Sequence, residues 1–95
     1  MPDINMSLQI IPLISEMNVY PLVDKVIQMI KESGVKYVVG PMETTMEGDM
    51  DKLFYLARKA HEICLQNGAK RVCAVIKTDC KPEGVTIEEK IKKYR

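Results

Sequence analysis

The sequence predicts an α+β domain: one four-stranded antiparallel sheet, two long helices on one of its faces, and a short helix at the C-terminal end. Three observations predict it. First, apolar residues switch along the chain between alternation, the period of a strand, and recurrence every three or four residues, the period of a helix. The order of these segments is β-α-β-β-α-β. Second, Ser33-Gly34-Val35-Lys36-Tyr37-Val38-Val39 is echoed by Asn67-Gly68-Ala69-Lys70-Arg71-Val72-Cys73. Each copy reads as helix end, glycine stop, apolar residue, lysine, strand. Third, Thr86 with Glu89 three residues on forms a capping box that launches a further short helix. Two β-α-β units interleaved in one sheet make the split β-α-β, or ferredoxin-like, sandwich.

The first strand is expected over Ile4 to Leu13. Ile4, Met6, Leu8 and Ile10 form one face; Asn5, Ser7, Gln9 and Ile11 form the other. Pro12 ends or edges this strand because it cannot donate to a ladder. A loop follows from Ile14 to Val19. The first helix is expected to begin near Asn18 to Pro21, with Val23, Val26, Ile27 and Ile30 inward. Gly34 stops it. Lys36 to Met42 reads as the second strand, and a reversal near Glu43-Thr44 leads to a short third strand through Met46 and Glu47. Asp49 caps the second helix, Met50 to Asn67, which carries Met50, Leu53, Phe54, Ala57, Ala60, Ile63 and Cys64 inward. Lys70 to Thr78 is the fourth strand, and Ile87 to about Lys93 the last helix.

Ninety-five residues make one domain, 1–95, and a chain this short buries little more than about 60% of its unfolded surface. The far face of the sheet would carry Ser7, Gln9, Ile11, Cys73 and Val75, which is too apolar for open water. A second copy of the chain is expected to cover it. The net charge is +1 with acids and bases interspersed, which argues against a nucleic-acid partner. No apolar run approaches the roughly 20 residues of a membrane span, and no basic stretch precedes an apolar one at the N-terminus. The expected location is cytoplasmic. Of three cysteines, Cys64 and Cys73 are expected in the core and Cys80 in an exposed loop, with no disulfide framework.

Gly40 to Asp49 concentrates Glu43, Thr44, Thr45, Glu47 and Asp49 between apolar segments. Polar groups gathered there are either turn and cap chemistry or a small-molecule site. Other chemistry is thinly represented. His61 and Cys64 stand one helical turn apart, but no further ligand has a matching spacing, so no metal centre is expected. With one histidine and no nucleophile elbow, no catalytic residue is assigned. Neither dinucleotide nor P-loop glycine spacing occurs, and no cofactor is expected.

Gly40-Pro41-Met42-x-Thr44-Thr45-x-Glu47-Gly48-Asp49 resembles the signature of the YkoF-like thiamine-binding protein family. Supporting pieces are Ile11-Pro12-Leu13, Ser33-Gly34-x-x-Tyr37, His61-Glu62 and Arg71-Val72, so the similarity runs from about Met6 to Lys92. The resemblance implies a ferredoxin-like fold, pairing into dimers and then tetramers, and binding of thiamine or its hydroxymethylpyrimidine moiety without established catalysis. In that site Glu47 would accept from the pyrimidine's exocyclic amine and pair with its ring nitrogen. Thr44 and Thr45 would orient the ring edge, and Met42 and Ile11 would cover the ring faces. An interaction module whose function is its oligomeric assembly is the alternative; an enzyme using Glu47 with His61 is a third reading. The chain departs from the family pattern at Glu43, where many relatives carry a small residue. The turn and the pocket entrance are where this chain is expected to differ.

Overall fold

The computed structural model describes residues 2–95. Its elements are β1 (Ile4–Leu13), α1 (Glu16–Glu32), β2 (Lys36–Val39), β3 (Thr44–Gly48), α2 (Met50–Gln66), β4 (Arg71–Asp79) and α3 (Ile87–Ile91), followed by a 3₁₀ turn at Lys92–Tyr94. The sheet is antiparallel throughout, in the order β2-β3-β1-β4. This is the expected ferredoxin-like sandwich.

Alternation along β1 and β3 turns Ile4, Met6, Leu8 and Met46 toward the long helices, and all four are buried. They pack against Leu22, Val26 and Ile30 of α1 and Leu53, Leu56, Ala57, Ala60 and Cys64 of α2. The small residues Ala57 and Ala60 let α2 lie close to the sheet. Asp49 caps α2 as expected, accepting from the Lys52 N–H at 3.2 Å.

Several boundaries differ from expectation. α1 begins at Glu16, not at Asn18 to Pro21, because Ser15 takes the cap position and Asn18 braces it with an Nδ2–H···Oγ bond of 2.7 Å. Pro21 then falls in the second turn. The carbonyl it deprives of a partner is that of Met17, a strongly solvent-exposed residue, which keeps the cost of the lost bond low. β2 stops at Val39, not Met42, because the Gly40 N–H turns back to the Glu43 carbonyl at 2.8 Å and closes the hairpin loop. Leu56, not Phe54, fills the α2 stripe; Phe54 lies half exposed. Cys73, expected in the core, is exposed on the outer face of β4.

The far face of the sheet is not bare along its whole length. α3 folds back over the end that carries Asn5 and Glu47: the Ile87 N–H donates to Glu47 Oε1 at 2.6 Å, and Lys90 Nζ donates to Asn5 Oδ1 at 2.8 Å and Asp79 Oδ2 at 2.6 Å. The opposite end, with Ile11, Cys73 and Val75, stays open to solvent. Among the described residues, no helix is long and apolar enough to cross a membrane.

Candidate functional site

The five residues singled out in the sequence do not meet in one place, and strand alternation is the reason. Thr44 and Thr45 are consecutive in β3, so they point to opposite faces. Thr44 is buried on the helix side. Thr45 lies on the far side and lines a hollow of about 280 Å³ with Asn5, Glu43, Ile87 and Lys90. Glu47 shares that far face and lines a second hollow, of about 490 Å³, with Lys36, Tyr37, Ile87 and Ile91. Met42 sits at the hairpin tip, 71% exposed. Ile11 lies six residues along β1 from Asn5, the residue opposite Glu47, which is about 20 Å at strand rise.

Glu47 is buried and well engaged. Its Oε1 accepts from the Ile87 N–H and, at 3.3 Å, from Asn5 Nδ2. Its Oε2 faces the Lys36 ammonium at 3.8 Å, but Lys36 is exposed and that pair adds little. One carboxylate oxygen is thus committed to holding α3. A charge-assisted bond of this kind contributes about 1.5–3 kcal/mol.

Thr44 and Met42 line a different space. β3 begins at Thr44, opposite Leu8, so β1 has no strand partner on that flank from Gln9 onward. The loop over residues 40–43 curves away there and leaves a crevice of about 190 Å³ between β1, the hairpin and α1. Its helical wall is Val19, Val23 and Ile27, a stripe at four-residue spacing. Val23 and Ile27 are the residues whose spacing pointed inward; they are only half buried because they face this gap rather than a sealed core. Thr44 supplies a hydroxyl at the crevice floor and Glu43 a carboxylate at its mouth. The Glu43 side chain lies back along the loop, its Oε2 3.8 Å from where a Cβ on Gly40 would sit. Apolar walls, a hydroxyl and one carboxylate suit a flat heterocycle of about ten heavy atoms.

This crevice was not legible as a unit in the sequence. Val19 fell in an expected loop, and Glu43 stood out as one of the polar residues of the Gly40 to Asp49 stretch and as a departure from the family pattern, not as the partner of an α1 stripe. His61 is partly buried, with Nδ1 hydrogen-bonded to the Ala57 carbonyl at 2.7 Å. Among the described residues no group of three metal-ligating side chains gathers.

A ferredoxin-like α+β domain with a small, apolar, carboxylate-edged crevice beneath its β2–β3 hairpin is the class that fold and site define. The sequence model of the family described as "thiamine-binding protein" matches residues 6–95, and the chain belongs to that family. It is 50% identical to a UPF0045 protein of Clostridium perfringens over the whole of both chains. A domain of unknown function (DUF77) from Bacillus cereus superposes with a TM-score of 0.91 at 42% identity, covering 99% of this chain and 91% of that one. A proposed thiamine biosynthesis/salvage protein from Thermotoga maritima superposes with a TM-score of 0.90 at 33% identity, covering 99% of this chain and all of that one.

Proposed function

We propose that this chain binds thiamine or its hydroxymethylpyrimidine moiety without transforming it, as a cytoplasmic homo-oligomer acting as carrier or sensor. The observation that carries the reading is the crevice between α1 and the hairpin, taken with membership of the thiamine-binding family. An aminopyrimidine has apolar ring faces and a donor-acceptor edge. Ile10, Val23 and Ile27 offer surfaces to the faces, and the Thr44 hydroxyl meets the edge. Micromolar affinity requires about 8 kcal/mol, or about 0.8 kcal/mol per atom for a ten-atom ring system, which is below the ceiling for very small ligands.

Titration calorimetry with thiamine and hydroxymethylpyrimidine tests this. Thr44→Val keeps the shape and removes the hydroxyl, so it is expected to weaken binding about 3- to 10-fold. Absence of heat, and of any rise in melting temperature with every pyrimidine tried, would overturn the reading.

A second placement of the same ligand is supported by the hollow beside Glu47, where the carboxylate would meet the ring amine. The two placements separate cleanly. Glu47→Gln weakens binding at least about tenfold if the ring lies under α3 and leaves it unchanged if the ring lies in the α1 crevice.

A further inference from the structure

The charge in the crevice lining is all of one sign. Fifteen residues line the crevice, and Glu43 is the one charged side chain among them; no lysine or arginine belongs to the set. Glu43 also borders the far-side hollow, and the cations there, Lys90 and Arg95, belong to that lining and not to the crevice. The two side-chain ion pairs among the described residues are Lys36–Glu47 and Lys90–Asp79, so neither engages Glu43. The loop that carries this side chain is held in place. The Gly40 N–H closes the loop on the Glu43 carbonyl at 2.8 Å, and the side chain is half buried along that loop. A half-buried charge at the mouth of an apolar crevice is screened less than a surface charge. It favours cations and rejects anions before any ring contact is made.

We infer that Glu43 is a specificity-determining residue that makes the crevice a receptor for cationic, unphosphorylated heterocycles and excludes their phosphate esters. The inference rests on the α1-crevice reading above and adds the class of ligand that site accepts. Thiamine carries a permanent positive charge on its thiazolium ring. A phosphate ester adds about −1.5 to −2 at neutral pH and reverses the net charge. With no basic side chain in the lining, nothing in the crevice compensates that phosphate. The same carboxylate leaves neutral hydroxymethylpyrimidine almost unaffected. Glu43 therefore sets preference by charge, while the apolar walls and Thr44 set it by shape.

Calorimetry on the native chain, Glu43→Gln and Thr44→Val, with thiamine, hydroxymethylpyrimidine and thiamine monophosphate, tests the charge rule. Thermal melts confirm that each variant folds. The native chain is expected to hold thiamine at least about tenfold tighter than its monophosphate. Glu43→Gln is expected to narrow that ratio to less than about threefold while leaving hydroxymethylpyrimidine within about twofold. If the ratio stays wide in Glu43→Gln while hydroxymethylpyrimidine still binds, the charge rule is overturned and the pyrimidine reading survives. A matched pair of flat probes, benzamidine and benzoate, followed by the amide resonances of 39–44, covers the case in which no thiamine compound binds. Benzamidine moving those amides in the native chain but not in Glu43→Gln upholds the rule by itself. Equal shifts from both probes, shifts from neither, or benzamidine shifts that survive the substitution all overturn it.

Discussion

Glu43 and Glu47 stand four residues apart and do opposite work. Glu47 looks inward from the far face and spends one oxygen on the backbone of α3; Glu43 stands at the hairpin tip, where it borders both the α1 crevice and the far-side hollow. Gly40 makes the Glu43 position possible, since a Cβ there would come within 3.0 Å of the Glu43 carbonyl oxygen. Gly40→Ala is therefore expected to destabilise the fold by about 1–3 kcal/mol, read from denaturant midpoints, and to weaken crevice binding through the displaced loop. Cysteine chemistry divides in the same residue-by-residue way. Burial pushes the Cys64 thiol above its ordinary 9.0, whereas Cys73 and Cys80 lie at the surface. In the native chain a maleimide is expected to label Cys80 and to spare Cys64 until denaturant is added, counted by intact mass; Cys73 labels only where the sheet end that carries it is left uncovered. The stability tied to neutral Cys64 is fully present below the unfolded value and is lost as pH rises through the higher folded one.

At the scale of the element, α3 is the informative case. Five helical residues are too few to hold a helix in water unaided. Thr86 caps it, accepting from the Glu89 N–H at 3.2 Å, but attachment comes from Glu47 below and from Lys90 bridging Asn5 and Asp79. The Lys90–Asp79 pair is about half exposed on both sides and is worth about 1 kcal/mol or less. Glu47→Gln is accordingly expected to speed hydrogen exchange across 87–94 by a larger factor than Lys90→Met does. Equal protection in the two variants would place the anchor elsewhere. The capping box made α3 legible in sequence. Its docking was not legible, because Glu47 and Ile87 are 40 residues apart and nothing local couples them. The long elements were legible because period and stop signals agree: glycines 34 and 68 take φ of +83° and +97° just beyond the two long helices. Boundaries moved where a single side chain decided them, as Ser15 did for α1. The candidate site was readable only as a polar stretch. Whether a residue of that stretch faces helix or far side depends on a one-residue phase, and Thr44 and Thr45 fell on either side of it.

Across the whole molecule, the uncovered end of the sheet is the main unresolved surface in energetic terms. Ile11, Leu13 and Val75 are each more than a third exposed there, beside exposed Cys73. The expected homo-oligomer would bury this patch. Val75→Glu is expected to shift sedimentation toward the monomer while melting cooperatively and keeping crevice binding, since Val75 lies on the face of the sheet opposite that space. An unchanged sedimentation profile would assign assembly to another surface. The largest single losses of stability belong on the opposite side: Leu53, fully buried between α2 and the sheet, is expected to cost about 2–5 kcal/mol on truncation to alanine.

Pro12 carries one more consequence. The Leu13 carbonyl turns toward β4, accepting from the Lys70 N–H at 3.1 Å, so alternation sends the Pro12 nitrogen to the flank that β3 leaves vacant. A foreign strand arriving at that flank would find a rung missing. Templated fibril growth needs an unbroken row of donors, and here the row is interrupted by an imino acid. The gap proposed to hold a ligand is thereby a poor template for strand addition.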